Sequence, residues 1–301
     1  ADWLIESRLG SNRWTYGPAF GNGVVGGDNS NSQFAMLGLQ AASQSRVEIP
    51  KNVWQRSQVY WSQTQGNEGG WGYLPGAGAT GSMTTAGVSS LIIANRAAQS
   101  VKAGTVAGKK VRCKGAQLDE NVERGIEWLG RNFSTQGNPF RDAGTFFYYL
   151  YGVERAGRLS GRRFLGDHDW YRAGARVLTS PGPFGQRPNG SWVAGDASDL
   201  GAICNTSFAL LFLAKGRIPI VVNKLQHGPG SDWNNAPNDV HNLTQFLADK
   251  WSVKLNWQIV DGRIARIEDL LQAPVLQMSG HEAPRLTPAE KSLLRQFVAE
   301  G

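Results

Sequence analysis

Apolar residues along this chain fall into two kinds of segment that alternate. One kind is apolar on most sides: "NSQFAMLGLQAA" (31–42), "MTTAGVSSLIIANRAA" (83–98), "GTFFYYLYGVERAG" (144–157) and "NTSFALLFLAKG" (205–216). The other carries a single apolar stripe: "NVWQRSQVYWSQTQ" (52–65), "LDENVERGIEWLGRNF" (118–133) and "DWYRAGARVLTS" (169–180). Within 118–133, Leu118, Val122, Ile126, Leu129 and Phe133 recur at helical spacing. Asp119 and Glu120 stand in the first turn and Arg131 in the last, where their charges complement the helix dipole. The pattern predicts helices of both kinds. "SFALLFLA", apolar on every side, predicts a helix walled in by other helices. Half-wet and fully buried helices in alternation predict two concentric layers.

The pattern changes at about residue 217. "RIPIVVNKL" (217–225) is a β-branched run, "DVHNLTQFLADKW" (239–251) reads as a helix, and "LNWQIVD" (255–261) and "APVLQMSG" (273–280) read as strands. In "LTPAEKSLLRQFVAEG", Thr287 can cap, Pro288 takes the first helical position, Glu290 closes a capping box and Gly301 ends the helix. Strands alternating with helices at this spacing predict a parallel sheet. The division is therefore a helical part over 1–217 and an α/β part over 218–301.

Between the helical segments lie glycine-rich turns that carry tryptophan. "QGNEGGW" (65–71) and "QRPNGSW" (186–192) share the pattern Gln, any three, Gly, any one, Trp. Such a turn could grip a ligand or tie helices together, and its recurrence favours architecture over chemistry. "LGSNRWTY" (9–16) and "STQGNPF" (134–140) read as eroded copies. Asp28 in "GGD" and Asp196 in "AGD" precede two of the apolar segments and read as helix caps or turn formers.

On these turns the chain resembles the squalene-cyclase and protein-prenyltransferase repeat superfamily. The resemblance implies a mainly α fold, an α/α toroid of tryptophan-motif helical hairpins over residues 1–217. It also implies structural roles for Gln65, Gly69, Trp71, Gln186, Gly190 and Trp192, with the glutamine amide stacked on the indole and bonded to helix termini. The stretch "APVLQMSGHEAPRLTPAEKSLLRQFVAEG" resembles the start of an uncharacterised bacterial domain with a glutamine-amidotransferase-like α/β fold. Compared with that domain, the α/β part is expected to be truncated. The opening "ADWLIESRLG", without an initiating Met, suggests a fragment or a trimmed chain. Proteins related through the repeats tend to be exported, which implies an extracytoplasmic location.

Composition narrows the function classes. A chain of 301 residues, 41% apolar and 18% charged, buries a core and is not disordered. Its 38 Gly and 11 Trp suit tight turns against large packed rings. Lys and Arg exceed Asp and Glu by 31 to 24, but the excess is spread out and its clusters, "GKKVRCK" and "GRLSGRR", carry no reading motif, so no nucleic-acid partner is expected. No run of 18 apolar residues exists to span a membrane. Cys113 and Cys204 have neither metal-ligand spacing nor a disulfide framework; one bridge between them is conceivable.

The chemistry that the resemblance would bring is missing from the sequence. A cyclase of this superfamily protonates its substrate from D-x-D-D, whereas "GDHDW" (166–170) ends in Trp170 and "DASD" (196–199) has the wrong spacing. Asp167 or Asp169 reads instead as a helix cap. The zinc site of the prenyltransferases needs an Asp two residues before Cys, which neither cysteine has, and the Gly-Cys-Gly-Glu-Gln element of the complement-type thioester domains that share the toroid is absent. No metal and no cofactor are expected. Candidate cavity-lining residues are Tyr148 and Tyr151 of the aromatic run "FFYYLY", three apart on one face, and Asp196 and Asp199 just before the last apolar helix. Filling space in a buried helix would also explain the aromatics. His168 reads as local to its turn, and His227 and His241 as loop and helix-surface residues. Ser279 and His281 follow a strand of the parallel sheet, where ligands usually bind, and are the candidate binding loop. The expectation is a ligand-binding or protein-interaction module with an apolar, isoprenoid-like ligand or a protein partner. The alternative is an enzyme with unfamiliar residues, either a terpenoid-type cyclase or isomerase or a carbohydrate-active α/α-barrel.

Overall fold

A computed structural model describes residues 1–16, 26–100, 119–194 and 199–300. The chain is mainly helical through its first two thirds and ends in a small parallel sheet. After the short α1 (Asp2–Glu6) come α2 (Asn29–Gln44), α3 (Lys51–Gln63), α4 (Gly81–Ser100), α5 (Glu120–Asn132), α6 (Phe146–Ser160), α7 (Trp170–Thr179) and α8 (Asp199–Leu213). A two-residue ribbon, β1 (Phe164–Leu165) against β2 (His168–Asp169), separates α6 from α7.

The helices start where side-chain caps are available. Asp28 Oδ1 accepts from the Asn31 amide at the start of α2, Asp119 Oδ1 from the Asn121 and Val122 amides at α5, and Asp169 Oδ1 from the Arg172 amide at α7. Each satisfies amides that the helix leaves without partners. Asp196 lies outside the described residues.

These helices pack in two layers. α2, α4, α6 and α8 form a row in which each touches the next, while α3 and α5 lie against α4 and α7 against α6 and α8. α4 touches four other helices and is buried from Gly81 to Ala94. Its many small residues permit this. Trp71, inserted between the layers, lies so close to Gly87 and Gly125 that a Cβ at either would fall within 3 Å of the indole.

The last helix of the row departs from its sequence pattern. α8 buries Asn205, Ala209 and Phe212 but leaves Ile203, Leu210 and Leu211 exposed. "SFALLFLA" is thus not walled in: α8 has α6 and α7 on one side, and no further helix of the row is present among the described residues to cover the other. Composition reports how apolar a helix is, not how many neighbours it has.

The C-terminal part contains β3 (Ile220–Gln226), α9 (Asp239–Trp251), β4 (Asn256–Asp261), α10 (Ile267–Leu270), β5 (Val275–Gln277) and α11 (Pro288–Glu300). Its three strands are parallel in the order β4–β3–β5, with Val222 opposite both Trp257 and Val275. The strand expected over 273–280 is confined to three residues. At α11, Thr287 Oγ1 accepts from the Glu290 amide and Glu290 Oε2 from the Thr287 amide, the reciprocal box that its sequence predicts. One face of the sheet packs Val222, Trp257 and Ile259 on Trp233 and Val240; the other packs Leu225 and Val260 on Leu270 and Leu293. Lys224 is fully enclosed, and its ammonium donates to Ala236 O (3.0 Å) and Asp239 Oδ1 (2.7 Å). A buried amine needs such partners.

The two parts are joined along an edge of the sheet. Just after α6, the Ile259 amide donates to Gly161 O at 2.6 Å and the Arg163 amide donates to Ile259 O at 3.0 Å, so residues 161–163 extend the sheet beside β4. Gly161 ends α6 at φ 73°, and a Cβ there would meet the Trp257 ring at 2.4 Å; both facts require glycine. Next to it the Arg163 guanidinium, buried, bridges Asp169 at 2.6 Å and Asp269 at 2.9 Å.

Candidate functional site

The two Gln–Gly–Trp turns are braces. Trp71 Nε1 donates to Trp61 O in α3 (2.9 Å), and the Trp71 amide donates to Thr84 Oγ1 in α4 (3.1 Å). Trp192 repeats this with Leu178 O in α7 (2.9 Å) and Thr206 Oγ1 in α8 (3.0 Å). Gln65 and Gln186 each donate from Nε2 to the carbonyl of the turn glycine, Gly69 and Gly190, at 2.7 and 2.9 Å. Both glycines have positive φ, 94° and 85°, which a side chain would strain.

A third brace stands at Trp14, where the indole donates to Leu4 O in α1 (2.7 Å) and the amide to Ser32 Oγ in α2 (3.1 Å). In all three the indole holds the preceding helix and a hydroxyl of the following row helix holds the tryptophan amide. That hydroxyl, at Ser32, Thr84 and Thr206, is the signal that marks the eroded copy at 9–16 as intact in function. The copy at 134–140 has no indole. Its Phe140 is exposed at φ 60°, and Asn138 Oδ1 instead accepts from the Ser82 amide at the start of α4 (2.9 Å).

Tyr148 and Tyr151 meet two rings that the sequence did not single out. Phe34 of α2 stacks on both, with centroids 6.2 and 6.3 Å away, and Phe208 of α8 lies 5.7 Å from Tyr148 and 5.1 Å from Tyr151. Tyr148 Oη is 2.8 Å from Ser30 Oγ and also accepts from Gln33 Nε2. These contacts reach over α4, whose first turns carry small residues there: Thr85 Oγ1 lies where a Cβ on Gly152 would sit. Three row helices thus contribute to one aromatic face, with Phe34 its most exposed member. Arg155 lies over Tyr151 at 5.0 Å.

Burial pushes the Tyr148 phenol up to about 12, against bonds from Ser30 and Gln33 that lower it, so it stays protonated at neutral pH. Asp28, whose charge reaches Tyr148, is itself buried, and its two carboxylate oxygens accept from the Asn31 amide and side chain at 2.8 Å. Of the two acids expected to line this region, Asp196 lies outside the described residues and Asp199 begins α8 without a described side chain.

Ser279 and His281 do follow a strand end, but Ser279 is committed and the exposed His281 ring lies 3.8 Å from Asp232 Oδ1. Ser279 Oγ donates to Trp233 O (2.8 Å), and its carbonyl contacts His227 Nε2 (2.9 Å). The His281 ring is exposed, and its amide donates to Asp232. Asp232 is held down at about 2 by hydrogen bonds from Asn235 and from the His281 and Glu282 amides. The loop is a knot between β3 and β5. His227 is therefore not a simple loop residue but a buried tie. Neither is His241 a surface residue: it sits half-buried beside the Trp257 ring (6.2 Å), and burial, aided by the charge of Arg96, pushes it down to about 4.

Among the described residues no three His, Cys, Asp or Glu side chains cluster as metal ligands, and Cys204 is free and exposed; Cys113 lies outside them. No helix of the described residues is long and apolar enough to cross a membrane.

Residues 221–301 match a family described as a domain of unknown function (DUF4159). The match begins inside β3 and runs through α11, under a third of the chain. No curated protein matches the chain, and neither does any solved structure.

Proposed function

We propose that the helical part is an α/α toroid of the squalene-cyclase and prenyltransferase repeat type, and that it serves as a binding module without the chemistry of those enzymes. The meeting of Phe34, Tyr148, Tyr151 and Phe208 on one face carries this reading. Four rings from three helices, with a single phenol hydrogen-bonded among them, suit an apolar ligand such as an isoprenoid chain, because aromatic faces supply large contact area at small entropic cost. The toroid is supported by the three tryptophan braces and by the alternation of row and outer helices.

Catalysis by protonation needs an acid free to give its proton. The Tyr148 phenol holds its proton too tightly, and both oxygens of Asp28 are occupied in starting α2. Binding is the simpler use of this face.

Titration with the neutral alcohol geranylgeraniol, followed by intrinsic fluorescence, tests the reading. Saturable binding is expected, weakened about tenfold by Phe34→Ala and by Tyr151→Ala, each of which removes ring contacts worth about 1.4 kcal/mol. Absence of saturable binding, or binding that neither variant changes, rejects it.

A further inference from the structure

A cavity lies at the end of the row helices away from the aromatic face. Where the C-terminal turns of α2, α4 and α6 face α9 and the start of β4, a cleft of about 600 Å³ opens. Among the described residues its wall carries Arg96, Arg158 and His241 and no carboxylate side chain. Arg158 has a partner, Glu154 at 3.4 Å. Arg96 has none: no described acid lies within ion-pair distance of it.

One nitrogen of Arg96 is accounted for. Its Nη2 donates to Leu159 O (2.8 Å) and so holds the last turn of α6, an ordinary service for a cation near a helix C-terminus. That service does not explain the rest of the group. Arg96 Nε is buried and has no hydrogen-bond partner, and burial pulls the guanidinium down to about 10. Thr244 Oγ1, buried on the α9 wall of the same cleft, is also without a partner. A buried cation without a counter-charge is costly, and buried polar atoms are normally satisfied. The remaining wall includes Ile93 and Trp257, which are apolar. Size, charge and lining together describe a site for a small molecule with an acidic head and an apolar body.

We propose that this cleft binds a small organic anion, its carboxylate or phosphate group on Arg96 and its body against Ile93 and Trp257. Arginine suits either group, since its planar fork matches both. The site uses the C-terminal halves of the row helices and residues of the α/β part. It is independent of the aromatic face, and either site can fail alone.

Calorimetric titration of the intact protein with phenyl phosphate, benzoate and the neutral isostere benzyl alcohol tests the proposal. At least one of the two anions is expected to bind with Kd below about 1 mM, and the one that binds tighter identifies the acidic group. Benzyl alcohol is expected to bind at least about tenfold more weakly. Arg96→Gln is expected to abolish binding of the anion. Because that variant also loses the bond to Leu159 O, Asn242 on the exposed rim supplies a second pair: Asn242→Glu should weaken anion binding about tenfold and Asn242→Lys should strengthen it, with the fold checked by circular dichroism. Failure of both anions to bind, equal binding of benzyl alcohol, or indifference to the charge placed at 242 overturns the proposal.

Discussion

The turns at 65–71 and 186–192 are built alike and supported differently. Each indole holds the helix before it, each tryptophan amide takes a threonine hydroxyl, and each glutamine bonds its turn glycine. The first turn, however, is also docked on the next outer helix. Gln65 Nε2 donates to Asn121 O (2.8 Å), Gln65 Oε1 accepts from Asn121 Nδ2 (2.6 Å), and a Cβ on Gly69 would meet Arg124 O at 2.6 Å. The second turn has open space at Gly190, and Gln186 is exposed. The helices that follow differ in the same sense: α4 is buried over most of its length and α8 shows leucines to solvent. A repeat's own residues encode its turn, whereas its burial depends on the repeat that comes next.

If that is right, equal substitutions in the two turns should have unequal effects. Trp71→Ala is expected to destabilise by about 4 kcal/mol, because the indole is enclosed by both layers and little can collapse into the space. Trp192→Ala should cost less, about 3 kcal/mol, since its indole is buried too but its turn is not docked on a further helix. Equilibrium unfolding in urea gives both values. Equal losses would mean that the second turn is covered as tightly as the first.

The glutamines should divide more sharply, with smaller effects. Gln65→Ala removes two hydrogen bonds that cross to α5 and leaves Asn121 Nδ2 with a longer bond to Ser62 O (3.3 Å), so a loss of about 2 kcal/mol is expected. Gln186→Ala removes one exposed bond and should change stability by less than about 0.5 kcal/mol. Hydrogen exchange at the first turn of α5 should quicken in the former only.

What the sequence reveals follows the same division. Caps and apolar stripes are local, and α5, α9 and α11 are read from Asp119, from the pattern over 239–251 and from Thr287 with Glu290 nearly to the residue. Contacts that need a distant partner are not. Nothing near Tyr148 announces Phe34, 114 positions before it, because the small residues of α4 that let them meet belong to a third helix. The Arg163 bridge between Asp169 and Asp269 and the enclosure of Lys224 are equally silent, since a charged residue in a strand reads as solvated until its partner is known. His241 reads as a surface residue for the same reason: its helix is amphipathic, but the face it occupies turns toward Trp257 of the sheet and the cleft before the helical row.

The smallest expected effect tests the comparison most directly, at α8. Leu210 and Leu211 are each more than two fifths exposed, while the adjacent Phe212 is fully buried against Trp170 and Tyr171. Phe212→Ala should therefore cost about 3 kcal/mol or more, yet Leu210→Gln and Leu211→Gln should each stay within about 0.5 kcal/mol, as surface substitutions do. Both leucine variants should also leave the tryptophan brace intact, because Thr206 and Trp192 lie a turn or more away. A loss above about 1 kcal/mol from either leucine would mean that this face is covered in solution, and its dependence on protein concentration would then distinguish a second copy of the chain from a contact within one chain.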